Sequence, residues 1–171
     1  MTDDAPRVLV AGVGNIFLGD DGFGVEVANR LAGVPMPENV HIADYGIRGV
    51  HLAYELLEGY DALVLIDALP MAEAPGTVAV IEPDMGALST RDDDVAPAMD
   101  AHSMNPGVVL GMLAGLGGTV DVIRVVGCEP ATIEEGIGLS APVAAAVDDA
   151  VTVVTQLVEE ISGNAGRGAR T

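Results

Sequence analysis

The chain has 171 residues, half of them apolar, and 26 acidic residues against seven basic ones give a net charge of −19. That length reads as one domain, able to bury roughly two-thirds of its unfolded surface. All the basic residues are arginines, so the charge speaks against nucleic acid and an anionic membrane surface as partners, and serves solubility. The lone cysteine, Cys128, excludes an intramolecular disulfide and a Cys-rich zinc site. The first residues, MTDDAPR, lack the basic-then-apolar order of a signal peptide. The uncharged stretch between Asp100 and Asp121 opens Ala-His-Ser-Met-Asn-Pro and holds five glycines, a poor spanning helix. A soluble cytoplasmic protein is expected.

In chain order, Arg7–Val13 reads as a first strand, followed by the glycine-framed loop Gly12–Gly24, GVGNIFLGDDGFG. A helix over Gly22–Leu31 follows, with Asp20 or Asp21 near its N-cap and Gly33 beyond its end. Val40–Asp44 is a second strand, Val50–Glu58 a short helix stopped by Gly59, and Ala62–Asp67 a short apolar strand between turn signals. Thr77–Glu82 is a further strand, and Pro83–Ala101 a long loop carrying an acidic triplet. Asn105-Pro106 opens a helix to about Leu116, Val120–Val126 is the last strand, and Ala141–Ile161 is a helix with a core stripe of valines. The domain is expected over 1–162, with a disordered tail at 163–171. The alternation of apolar runs and helical patterns argues for an α/β layered fold.

The loop after the first strand sits where α/β proteins hold phosphate, and Gly14 and Gly19 reproduce the frame of a P-loop. Asp20-Asp21 stands where the P-loop has Lys-Ser/Thr, and the third glycine of a dinucleotide fingerprint would fall at Phe17. Carboxylates there attract a cation rather than an anion. Two more strands end in acid, at Asp44 and Asp67, and parallel strands would bring all these ends to one edge. His102, at the end of the long loop, could cover the same edge, so two carboxylates and an imidazole would suit a borderline divalent ion. Asp20 and Asp44 read rather as turn formers or helix caps, while Asp67 reads equally as a cap or as a functional carboxylate. His41 and His51 are assigned to structure, and Cys128, beside Glu129, to a buried inert thiol. Ser103 beside His102 does not make a Ser-His pair of the nucleophile-elbow kind.

GVGNIFLGDDGFG, ALVLIDA, DAHSMNP and GCEPATIEEGIGLS, in that order, resemble the hydrogenase maturation proteases, over most of the chain from about Arg7 to Ile161. The resemblance implies a twisted, mostly parallel five-stranded sheet sandwiched between helices, a three-layer architecture of the phosphorylase/hydrolase kind. It implies an endopeptidase that removes a C-terminal extension from the large-subunit precursor of a nickel–iron hydrogenase after nickel insertion. The family's metal-binding positions fall on Asp21, Asp67 and His102, with the nickel that of the precursor. Some members carry Glu at the first position; Asp is one methylene shorter. DYGIRG, Asp44–Gly49, replaces a Gly-Gly-Thr turn of some members and offers Arg48 as a contact of its own. A non-enzymatic nickel chaperone would use the same ligands, and a nucleotide-binding regulator would rest on the glycine loop alone. A monomer suffices for the activity.

Overall fold

The computed structural model describes residues 5–82 and 106–168. In chain order these form β1 (Val8–Val13), a 3-10 turn (Gly19–Gly22), α1 (Phe23–Leu31), β2 (Val40–Gly46), α2 (Gly49–Leu56), β3 (Ala62–Ala68), β4 (Val78–Ile81), α3 (Pro106–Gly115), β5 (Val122–Cys128) and α4 (Ala141–Gly168). The strands make a five-stranded sheet in the order β2-β1-β3-β5-β4, with the first four parallel and β4 antiparallel at the edge. The α/β fold and the mostly parallel five-stranded sheet expected from the sequence are therefore present.

β1 and β3 are buried along their whole length, which is why both read as unbroken apolar runs. Side chains alternate between the two faces of a strand. Val8 and Val10 of β1, with Ala62, Val64 and Ile66 of β3, pack against α1 and α4. Leu9, Ala11 and Val13, with Leu63 and Leu65, pack against α2 and α3 on the other face. The result is three layers with two apolar cores. Over Ala141–Gly163, α4 has the length and hydropathy of a membrane span, but its Val143, Val147, Val154 and Val158 are buried against the sheet as core.

Chain order reverses at β1. The sequence leaves β1 through α1 to β2 on one side and returns through α2 to β3 on the other. Such a switch point opens a crevice at the carboxyl ends of the two central strands. α1 is seated there at close range. A β-carbon on Gly24 would run into the carbonyl oxygens of Ile66 and Val13, so only glycine lets the first turn of α1 rest on the ends of β1 and β3.

The structure departs from the sequence reading in several places. β4 runs antiparallel, a direction that a four-residue apolar run does not encode. β5 extends to Cys128, because Asp67 and Ala68 pair with Gly127 and Cys128. α4 continues to Gly168, beyond the Ile161 at which its valine stripe ends. The expected loop at 83–101 lies outside the described residues.

Candidate active site

The loop after β1 reaches the switch point by a set of local bonds. The Gly14 N–H donates to the Gly46 carbonyl at 2.9 Å, tying the loop to the end of β2. Asn15 Oδ1 accepts from the Phe17 N–H at 2.9 Å, a local side-chain turn. The Asn15 N–H donates to Asp21 Oδ2 at 2.8 Å, which orients that carboxylate. Asp21 is half-buried, and desolvation raises its pKa against the lowering effect of the Asn15 bond.

Asp67 lies at the end of β3, 5% exposed. Its neighbours Leu65 and Ile66 pack on the α2/α3 and α1/α4 sides respectively, so strand alternation places Asp67 on the α2/α3 side. Its pKa stands well above the usual carboxylate range, first through burial and then through the charge of Asp21, with one N–H, from Ala68, acting against both. Asp21 and Asp67 thus meet at the switch point as two like charges with too few donors. A cation relieves that arrangement directly, because it supplies the missing positive charge and favours the ionised carboxylates. Carboxylate oxygens are hard-to-borderline donors, suited to a divalent ion whose shell other ligands complete.

Asp44 does not join them. It pairs with Gly12, which pairs with Ile66, so Asp44 sits on the α1/α4 side, opposite Asp67. Among the described residues no group of three or more His, Cys, Asp or Glu side chains is placed to hold a metal. The third expected ligand, His102, lies outside the described residues.

Asp20 is not the cap of α1. The N-cap position is Gly22, with no side-chain cap bond. Asp20 is instead fully buried and accepts four hydrogen bonds from the segment after β5. The Ala131 and Thr132 N–H groups donate to Oδ2 at 2.8 and 3.1 Å, the Ser140 N–H to Oδ1 at 2.7 Å, and the Ser140 hydroxyl to Oδ2 at 2.8 Å. Desolvation pushes the Asp20 pKa up, but these bonds outweigh it and hold the carboxyl below its ordinary value. The backbone adds a short parallel bridge between Leu18 and Gly136.

Glu129 also ties loops together through backbone donors. Its Oε1 accepts from the N–H groups of Met71 and Glu73 at 2.5 and 3.1 Å and so shapes the turn after β3. Cys128 is buried, and burial, Asp20 and Glu129 push its thiol up to about 11. It is no nucleophile.

Residues 25–157 match the family model described as hydrogenase maturation protease. The chain belongs to the hydrogenase maturation protease family. The Hydrogenase 2 maturation protease of Escherichia coli is 31% identical over 161 residues, covering 90% of this chain and 92% of that protein. The hydrogenase expression/formation protein HupM of Azotobacter chroococcum is 30% identical over 167 residues, 94% of this chain and 75% of that one. Among solved structures, the hydrogenase maturating endopeptidase HybD from E. coli superposes with a TM-score of 0.73 at 28% identity, covering 90% and 93% of the two chains. The hydrogenase 2 maturation peptidase of a Thaumarchaeota archaeon gives 0.66 at 29% identity, over 89% and 97%. The chain is accordingly a hydrolase, an endopeptidase, as the motif order implied.

The sequence motifs of this protease divide by task. GVGNIFLGDDGFG delivers Asp21, and ALVLIDA delivers Asp67. GCEPATIEEGIGLS holds the first motif in place through Asp20. Sequence reasoning misses that last role, because the donors at Ala131, Thr132 and Ser140 are mostly backbone N–H groups, which residue identity does not mark.

Proposed function

We propose that this protease removes a C-terminal extension from the large-subunit precursor of a nickel–iron hydrogenase, and that Asp21 and Asp67, with His102, grip the nickel already seated in that precursor. The observation that carries the reading is the under-compensated carboxylate pair at the switch point. His102 is included because it precedes α3 by a few residues in sequence, and α3 packs on the same face as Asp67.

A metal that belongs to the substrate makes sense as a checkpoint, because it adds binding energy only when the precursor is loaded. Gripping it fixes the adjacent peptide bond against the protease. Activated water is the favoured nucleophile: Cys128 is buried with a raised pKa, and the Ser140 hydroxyl is spent on Asp20. A carboxylate of the Asp21–Asp67 pair is the group to serve as base, taking the proton of the attacking water. A cytoplasmic setting fits a substrate that is still being assembled.

The test is nickel-edge X-ray absorption on the complex of the protease with a precursor made uncleavable at the scissile bond. Carboxylate oxygens in the nickel shell, lost on Asp67→Asn, are the expected result. A nickel shell unchanged by the protease would refute the grip.

A further inference from the structure

α2 is apolar on two sides. Gly49, Leu52, Ala53 and Leu56 are buried toward the sheet, while Ile47, Val50 and Tyr54 are 48%, 50% and 55% exposed. Val50 and Tyr54 are one turn apart on α2 and form a stripe, and Ile47 lies in the turn just before the helix. Beside the stripe lies a cleft of about 370 Å³ lined by Tyr45, His51, Tyr54, Glu55 and Glu58. The Tyr60 hydroxyl donates to Glu55 Oε2 at 2.8 Å, leaving the other oxygen of Glu55 and the carboxylate of Glu58 to the cleft. Among the described residues neither glutamate has a salt-bridge partner; the ion pairs there are Arg30–Asp148 and Arg124–Glu82. Two arginines lie close by and both are turned to backbone: Arg48 donates to the carbonyls of Tyr45 and Asp44, and Arg7 to those of Glu58 and Gly59, with its guanidinium over the Tyr60 ring.

We propose that this face of α2 docks an apolar segment of the substrate protein that carries an arginine or lysine, the cation entering between the two tyrosines and the two glutamates. The inference rests on the protease reading above and names a recognition surface away from the metal grip. Aromatic rings and carboxylates together select a cation with an aliphatic stem, and tyrosine is among the commonest hot-spot residues. Charge decides between occupants. A second copy of this chain would bring another −19 and the same glutamates to the contact, which repels; a basic segment is complementary. The position also fits, because α2 begins directly after the carboxyl end of β2 and packs on the same face as Asp67. A precursor engaged at the acid pair thus reaches this stripe without crossing the sheet.

Calorimetric binding of the nickel-loaded precursor to the full-length protease tests this separately from cleavage. Tyr54→Ala and Glu58→Lys should each weaken binding about tenfold, with Val80→Ala, an exposed apolar residue on β4, as the unaffected control. Melting temperatures should match the wild type, and in cleavage assays the loss should fall on KM, with kcat at saturation preserved. Weakened binding in both variants supports the surface even if the wild type proves not to cleave, which would count against the protease reading alone. Equal binding by all four proteins would overturn the docking surface. So would a wild-type dimer in sedimentation that Tyr54→Ala dissociates, since the occupant would then be a second copy.

Discussion

Asp20 and Ser140 stand 120 positions apart in sequence and are joined twice, the Ser140 N–H and hydroxyl donating to the two carboxylate oxygens at 2.7 and 2.8 Å. Asp20 also precedes Asp21, so the bond that closes two distant loops fixes the residue next to the acid pair. Its role is positioning.

Asp20→Ala would leave three N–H donors around the buried carboxylate without an acceptor. At about 1–3 kcal/mol for each buried unsatisfied group, partly recovered by water, a loss of roughly 3 kcal/mol is expected. The melting temperature should fall by about 6–12 °C, and cleavage should fall with it as Asp21 loses its seat. Because the folded pKa of Asp20 lies below its ordinary value of 3.8, its contribution is present above that pH and lost as pH falls through the folded value. The wild-type and Asp20→Ala curves of stability against pH should therefore converge in acid, a comparison that thermal melts across pH 2–7 would make (roughly the carboxylate range and above).

Asp67→Asn should separate stability from activity. The raised pKa of Asp67 means that the folded protein binds a proton which the unfolded chain has released. Stability is thus full below about 3.8 and declines as pH rises toward the folded value. Asparagine removes that penalty, so the variant should melt a few degrees higher than the wild type at neutral pH, equal it in acid, and have no detectable cleavage. A lower melting temperature at neutral pH would show that Asp67 makes a structural bond instead.

Gly24→Ala places a methyl group against the carbonyls of Ile66 and Val13. Overpacking of this kind costs about 1–3 kcal/mol, and α1 must shift away from the strand ends that carry the acid pair. Cleavage should drop by more than the melting temperature implies, with circular dichroism unchanged. Full activity in a folded Gly24→Ala protein would show that the seating of α1 does not matter for the site.

Cys128→Ala should retain cleavage. The thiol is buried and pushed to about 11, so at neutral pH it is neither accessible nor ionised, and the cost should be confined to a small cavity. Loss of cleavage in a protein of normal melting temperature would reopen the nucleophile question.

Much of the fold and of the acid pair was legible from residue order because the informative signals were local. The apolar runs of β1 and β3 and the lone carboxylate closing Ala62–Asp67 are properties of consecutive residues, and a parallel sheet carries their ends to one edge. What required coordinates is what depends on register and long-range pairing. Asp44 ends an apolar run as Asp67 does, yet alternation puts the two on opposite faces, and only the pairing of Gly12 with both Asp44 and Ile66 reveals it. Asp20 looks like a helix cap in sequence, because its partners at Ala131, Thr132 and Ser140 are more than a hundred residues away. The stripe on α2 reads as ordinary amphipathic spacing until both of its sides are compared.

Whether the protease reads nickel in its substrate is tested most directly by mixing it with purified large-subunit precursor, nickel-loaded or nickel-free, and recording intact masses. The expected result is loss of a C-terminal peptide from the loaded precursor alone, abolished by Asp21→Asn and by Asp67→Asn. Equal cleavage of the nickel-free precursor, or nickel passing between the proteins with no change in mass, would contradict it.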